Sequence, residues 1–152
     1  MHIVSDKRKA RTFSDIRAAF PEAVPALRRA LVDFARAAGA DRRQCEAVRL
    51  AVSEAVSNVV LHAYGNESGL VRVSASIAGS EMWVIVADDG RGINAPSSRP
   101  GLGQGLALIG AVSESIAILR RPSGGTELRL RFALRSGAPR RLHVVPEQAE
   151  VA

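Results

Sequence analysis

The chain has 152 residues, 47% hydrophobic and 24% charged, which is the composition of one globular domain with enough length for a genuine core. A net charge of +6 raises the question of nucleic acid, but residues 12–134 hold 14 arginines against 12 carboxylates, and the excess sits toward the ends, around Lys7-Arg8-Lys9 with Arg11, and Arg135 with Arg140-Arg141; aromatics at 4% offer no base-stacking platform. No apolar run would span a bilayer, the start lacks a signal-peptide core, and one cysteine, Cys45, excludes a disulfide framework, so a cytoplasmic protein without membrane contact is expected.

Residues 1–11 read as a flexible leader running into a short edge strand that reaches Ala18, with poor alternation. Pro25 suits the first turn of a helix whose apolar stripe is Leu27, Ala30, Leu31, Phe34 and Ala38 and which stops at Gly39. Asp41 can cap a second helix, expected to run to about Tyr64 and to end at Gly65-Asn66. Residues 70–78 and 82–87 alternate in polarity on either side of Gly79-Ser80-Glu81, the pattern of a hairpin. Residues 90–103 form a loop rich in Gly, Pro and Ser with the character of a lid. A short helix over 104–113 and two strands over 115–120 and 126–132 follow, the strands turning at Pro122-Ser123-Gly124-Gly125. Residues 135–152 read as a basic, mobile tail. Helices grouped against an antiparallel or mixed sheet make a two-layer α/β sandwich.

Within the second helix, Glu54 and Asn58 stand four residues apart, about one turn, so their side chains point the same way. Glu54 is the only charged residue between Leu50 and Leu61. A carboxylate on so apolar a helix costs several kcal/mol to bury unless paired, hydrated or near a metal, roughly the cost of any lone buried charge. The pair therefore reads as a site; the alternative is a polar pair hydrogen-bonding inside the sandwich.

Further on, the apolar run Trp83-Val84-Ile85-Val86-Ala87 ends in Asp88-Asp89-Gly90-Arg91-Gly92. Asp88 at a strand end can accept hydrogen bonds from an exocyclic amine, or make an Asx turn with Gly90. Asp89 reads as solvated. Gly101, Gly103 and Gly105 precede a helix whose first amides suit phosphate oxygens. Gly-Lys-Ser/Thr is absent, so this is no Walker A loop, and no βαβ unit makes it a Rossmann fingerprint. Gly124-Gly125-Thr126 opens the last strand. No Cys/His cluster suggests zinc.

Glu-x3-Asn, Asp-x-Gly-x-Gly, Gly-x-Gly-x-Gly-Leu and Gly-Gly-Thr, in that order, closely resemble the N, G1, G2 and G3 boxes of the GHKL ATP-binding superfamily. The resemblance implies a Bergerat-type sandwich binding ATP and Mg2+ between the sheet, the N-box helix and the lid. It implies Glu54 as general base and Asn58 as magnesium ligand. Asp88 would read the adenine amine and Thr126 would help hold the base. Gly90, Gly92, Gly101, Gly103, Gly105 and Leu106 would complete the nucleotide site. The chain shows neither a transducer domain nor a phosphoacceptor-histidine hairpin. With Ser53-Glu54-Ala55-Val56-Ser57-Asn58 followed by His62-Ala63-Tyr64, residues 12–134 look most like the anti-sigma-factor serine/threonine kinases of bacterial partner switching. In that likeness the partners are a STAS-domain anti-anti-sigma protein and a sigma factor, Arg28 is the partner-contacting arginine with Arg29 as fallback, and there is room for a homodimer. The G2 box reads Gly-Leu-Gly-Gln-Gly where many relatives have Gly-Arg-Gly-Leu-Gly, and only eight residues separate Gly92 from Gly101, so any lid is short. Those departures keep two alternatives open: a non-catalytic nucleotide-binding switch that sequesters a regulator, and a detached histidine-kinase catalytic domain.

Overall fold

The computed structural model describes residues 10–92 and 102–134. Of the leader expected over 1–11, residues 1–9 lie outside the described residues, as do most of the lid and the tail from 135, while Ala10 and Arg11 already belong to the first strand. Strand β1 (Ala10–Ala18) is followed by helices α1 (Ala23–Ala37) and α2 (Arg42–Asn58) and a π-helical turn, Val59–Ala63. Then come β2 (Leu70–Ala78), β3 (Glu81–Asp88), α3 (Leu102–Val112), β4 (Ser115–Arg120) and β5 (Thr126–Ala133). The five strands form one sheet in the order β1-β2-β3-β5-β4, every neighbouring pair antiparallel. The helices cover one face of it, giving the two-layer α/β sandwich expected.

Alternation sets which side of the sheet is buried. Val71, Val73, Ala75 and Ile77 of β2, Met82, Val84 and Val86 of β3, and Leu128, Leu130 and Phe132 of β5 all face the helices. Leu27, Leu31 and Ala35 of α1, Val48, Val52 and Val56 of α2, and Ile109 of α3 close over them. Each buried Val, Leu, Ile, Met or Phe side chain among them contributes roughly 1.5–3 kcal/mol through removal from water. The buried line of α1 thus runs through Ala23, Leu27, Leu31 and Ala35, with Ala30, Phe34 and Ala38 along its margin. Phe34 meets Phe13 of β1 with ring centroids 5.9 Å apart. The weak alternation of β1 has a cause: Asp15 points inward at the sheet edge, where its carboxylate accepts from the Ile16 amide at 2.8 Å and from Arg17 Nε at 3.0 Å.

Asp41 caps α2 through a reciprocal capping box, its carboxylate accepting from the Gln44 amide and its own amide donating to Gln44 Oε1, both at 2.8 Å. The α-helical part of that element ends at Asn58 rather than at Tyr64. The next five residues form the π-helical turn. An apolar period cannot distinguish the two, because a widened turn inserts one residue without changing which residue types are buried.

Candidate functional site

Two clusters form at the ends of elements, and the π-helical turn joins them. In the first, Glu54 and Asn58 sit half-buried on the face of α2 that meets α3. A Cβ built on Gly105 would lie 3.0 Å from Glu54 Oε2, 3.3 Å from Asn58 Oδ1 and 3.5 Å from Asn58 Nδ2. Carboxylate and amide therefore converge on one spot, and the missing side chain at Gly105 lets α3 come that close. Gly105 is buried, Gly103 exposed and Leu106 half-buried against the core; Gly101 lies outside the described residues.

In the second cluster, Asp88 ends β3 and is only 6% exposed. Its Oδ1 accepts from the Gly90 amide at 2.8 Å and from the Thr126 amide at 3.4 Å. The Asx-type bond to Gly90 is present and helps fix the carboxylate. Burial pushes the Asp88 carboxyl above its usual range; the two amides counter this, the neighbouring charge of Asp89 adds to it, and Arg121 opposes it. Gly125 runs flush against this strand end, for a Cβ there would fall 1.9 Å from the Asp88 carbonyl oxygen. Gly92 takes φ +80°.

The π-helical turn links the clusters by presenting the Ala63 carbonyl to the Arg91 amide at 2.8 Å. The Arg91 guanidinium also donates to the His62 carbonyl at 3.1 Å. The chain that leaves Asp88 is thus fastened to the same helix that carries Glu54 and Asn58.

The structure qualifies three sequence expectations. Glu54 is half-buried, so its charge keeps access to water, one of the conditions under which the sequence admits it. Asp89 is exposed, as expected, and also pairs with Arg72 at 3.1 Å and Arg121 at 3.6 Å and accepts from Ser123 Oγ at 2.9 Å. That network ties the β4–β5 turn to the end of β3, and no short-range pattern could have shown it, because its members are far apart in the chain. Arg28, expected to reach solvent, is half-buried. Its position about 100° from Leu27 places it on the flank of α1; the outward line is Pro25, Arg29, Asp33 and Arg36. The structure brings Arg28 into neither cluster. Sequence reasoning also missed Tyr64, whose hydroxyl accepts from the Asp89 amide at 3.0 Å.

Comparison with known proteins agrees with this architecture. The chain is 34% identical over 100 residues to an anti-sigma F factor of Clostridium kluyveri, a match covering 59% of this chain and 70% of that protein. It is 33% identical over 100 residues to an anti-sigma F factor of Clostridium acetobutylicum, covering 57% and 70%. A crystal structure of the RsbU and RsbW domains of a Mycobacterium tuberculosis protein superposes with a TM-score of 0.65 at 28% identity, covering 81% of this chain and 32% of that one. The pattern of the histidine kinase-like ATPase domain matches residues 18–132. The chain belongs to the histidine kinase-like ATPase domain family, the GHKL type that its four boxes resemble.

Proposed function

We propose that this chain binds Mg-ATP and acts as a serine/threonine protein kinase and anti-sigma regulator in a bacterial partner-switching system. It would phosphorylate a STAS-domain antagonist, bind a sigma factor, or do both. The observation that carries the reading is the convergence of Glu54 and Asn58 on Gly105, with the chain that leaves Asp88 tied at the Arg91 amide to the Ala63 carbonyl of the same segment. The likeness to anti-sigma F factors supplies the regulatory context.

In this reading Asp88 accepts a hydrogen bond from the adenine amine, and Gly90, Gly92 and Thr126 border the base. Amides of the first turn of α3, Gly103 and Gly105 among them with Gly101 just before, meet phosphate oxygens, and Leu106 borders the site. Glu54 takes the proton of the attacking serine or threonine hydroxyl as its oxygen bonds to the γ-phosphorus and the bond to the bridging oxygen breaks, releasing ADP. The donor set fits magnesium. Among the described residues no three His, Cys, Asp or Glu side chains gather into a cage, and Mg2+ is ordinarily held by one or two protein oxygens together with phosphates and waters. Asn58 Oδ1 would hold it, and the bound ion supplies charge neutralisation at the phosphates. Arg28 on α1 contacts the protein partner.

The test is a pull-down with the tagged chain, followed by incubation of the recovered protein with γ-labelled ATP and phosphosite mapping. Phosphoserine or phosphothreonine on the partner, dependent on Glu54, supports the kinase. A nucleotide-dependent complex without transfer would make the chain a binding switch, and phosphohistidine would make it a detached histidine-kinase domain.

A further inference from the structure

We propose that Tyr64 is a positioning residue for the base-reading carboxylate and, through it, sets the preference for an amine-bearing purine. The proposal rests on the reading of Asp88 as acceptor for the adenine amine. Tyr64 follows the π-helical turn directly and is half-buried. Its hydroxyl donates to the carbonyl of Leu70, the first residue of β2, and accepts from the Asp89 amide. One phenol oxygen therefore joins the end of the α2 segment, the start of β2 and the residue after Asp88.

The ring has a prepared seat. A Cβ at Gly69 would fall 2.2 Å from the ring atoms of Tyr64, so the ring lies against bare backbone. The seat is itself anchored, because the Gly69 carbonyl accepts from the Ala19 amide at 2.9 Å at the end of β1. With only two side-chain torsions to fix, the ring delivers its hydroxyl to one place at small entropic cost.

That place matters because the Asp89 amide belongs to the peptide immediately following Asp88. Tyr64 holds the N–H side of this peptide, and Gly125 lies flush against its carbonyl side. The backbone bearing the Asp88 carboxylate is held from both directions, while Oδ1 is held by Gly90 and Thr126. Removing the Tyr64 hydroxyl frees the peptide to turn, and the aim of the carboxylate toward an amine donor is lost first.

Tyr64→Phe keeps the ring on Gly69 and removes only the hydroxyl. The experiment titrates ATP and purine riboside triphosphate, which lacks the exocyclic amine, into the wild type, Tyr64→Phe and Asp88→Asn. The wild type should prefer ATP, and Tyr64→Phe should lose about tenfold in ATP affinity, the scale of one hydrogen bond to a charged group, with the analogue changed by less than about twofold. Equal loss for both ligands would reduce Tyr64 to a general scaffold role and overturn the proposal, as would a Tyr64→Phe protein with its ATP preference intact. A wild type without any preference, matched by Asp88→Asn, would take down the Asp88 reading and this proposal with it.

Discussion

Gly105 of α3 stands so near Glu54 of α2 that a Cβ built on it would lie 3.0 Å from the carboxylate oxygen. The helix-to-helix contact and the proposed proton acceptor are thus one feature. Gly105→Ala should move Glu54, because the far end of a flexible side chain yields before backbone does. Alanine is also the better helix former by about 1 kcal/mol, which offsets the local crowding. The expected result is a melting temperature within a few degrees of wild type and a phosphotransfer rate lowered about tenfold, comparable to other displacements of a catalytic group. Thermal melts and initial rates with γ-labelled ATP check it.

Glu54→Ala should abolish phosphotransfer and leave Mg-ATP binding within about threefold, since a general base acts chiefly in the transition state. Calorimetric titration beside single-turnover kinetics separates the two. Equal loss of binding and transfer would assign the carboxylate a structural role.

Asp88→Asn should weaken ATP binding about tenfold or more, because the amide can turn a donor toward the adenine amine. The same change should stabilise the nucleotide-free protein near neutral pH. Burial raises the Asp88 carboxyl above its ordinary 3.8. A raised folded value means that the native state favours the protonated form; its relative stabilisation is complete below the ordinary value and is lost as pH rises through the folded value. The variant's advantage in melting temperature should therefore be largest at pH 7 and shrink as pH falls toward about 4, the region of ordinary carboxylate titration. Melts across that range decide it; a constant gap would mean that the charge of Asp88 costs the fold nothing.

Arg28 is half-buried and Arg29 exposed on α1. Arg28→Ala should lower the melting temperature slightly and leave ATP affinity unchanged while weakening partner binding about tenfold, as for a modest interface hot spot. Titrating the recovered partner against both alanine variants checks this. A deficit confined to Arg29→Ala would move the contact to the outward line of the helix, and no deficit in either would remove α1 from the interface.

Much of the framework was legible because short-range rules govern it. Alternation in 70–78 and 82–87 marked the hairpin, and Asp41 marked the start of α2. The convergence of Glu54 and Asn58 followed from a spacing of one turn. What escaped was set by contacts between distant segments. The widened turn at Val59–Ala63 exists where the Ala63 carbonyl meets the Arg91 amide, a partner not visible from the helix itself. Asp89 is the solvent-facing acid the sequence suggests, but its pairing with Arg72 and Arg121 arises only on folding. Ala35 rather than Ala38 completes the buried line of α1, a choice of helical phase that the sheet beneath decides.

The widened turn also fixes how this segment can vary. Between Asn58 and Tyr64 the Val59 and Ala63 side chains are buried in the core, while the contacts to Arg91 are made by the backbone carbonyls of His62 and Ala63. The number of residues is another matter. Deleting one would return the segment to plain α-helix and swing Tyr64 by about 100° around the axis, off its seat on Gly69 and away from Asp89. In this stretch the chain should accept exchanges at exposed Leu61 more readily than any change of length.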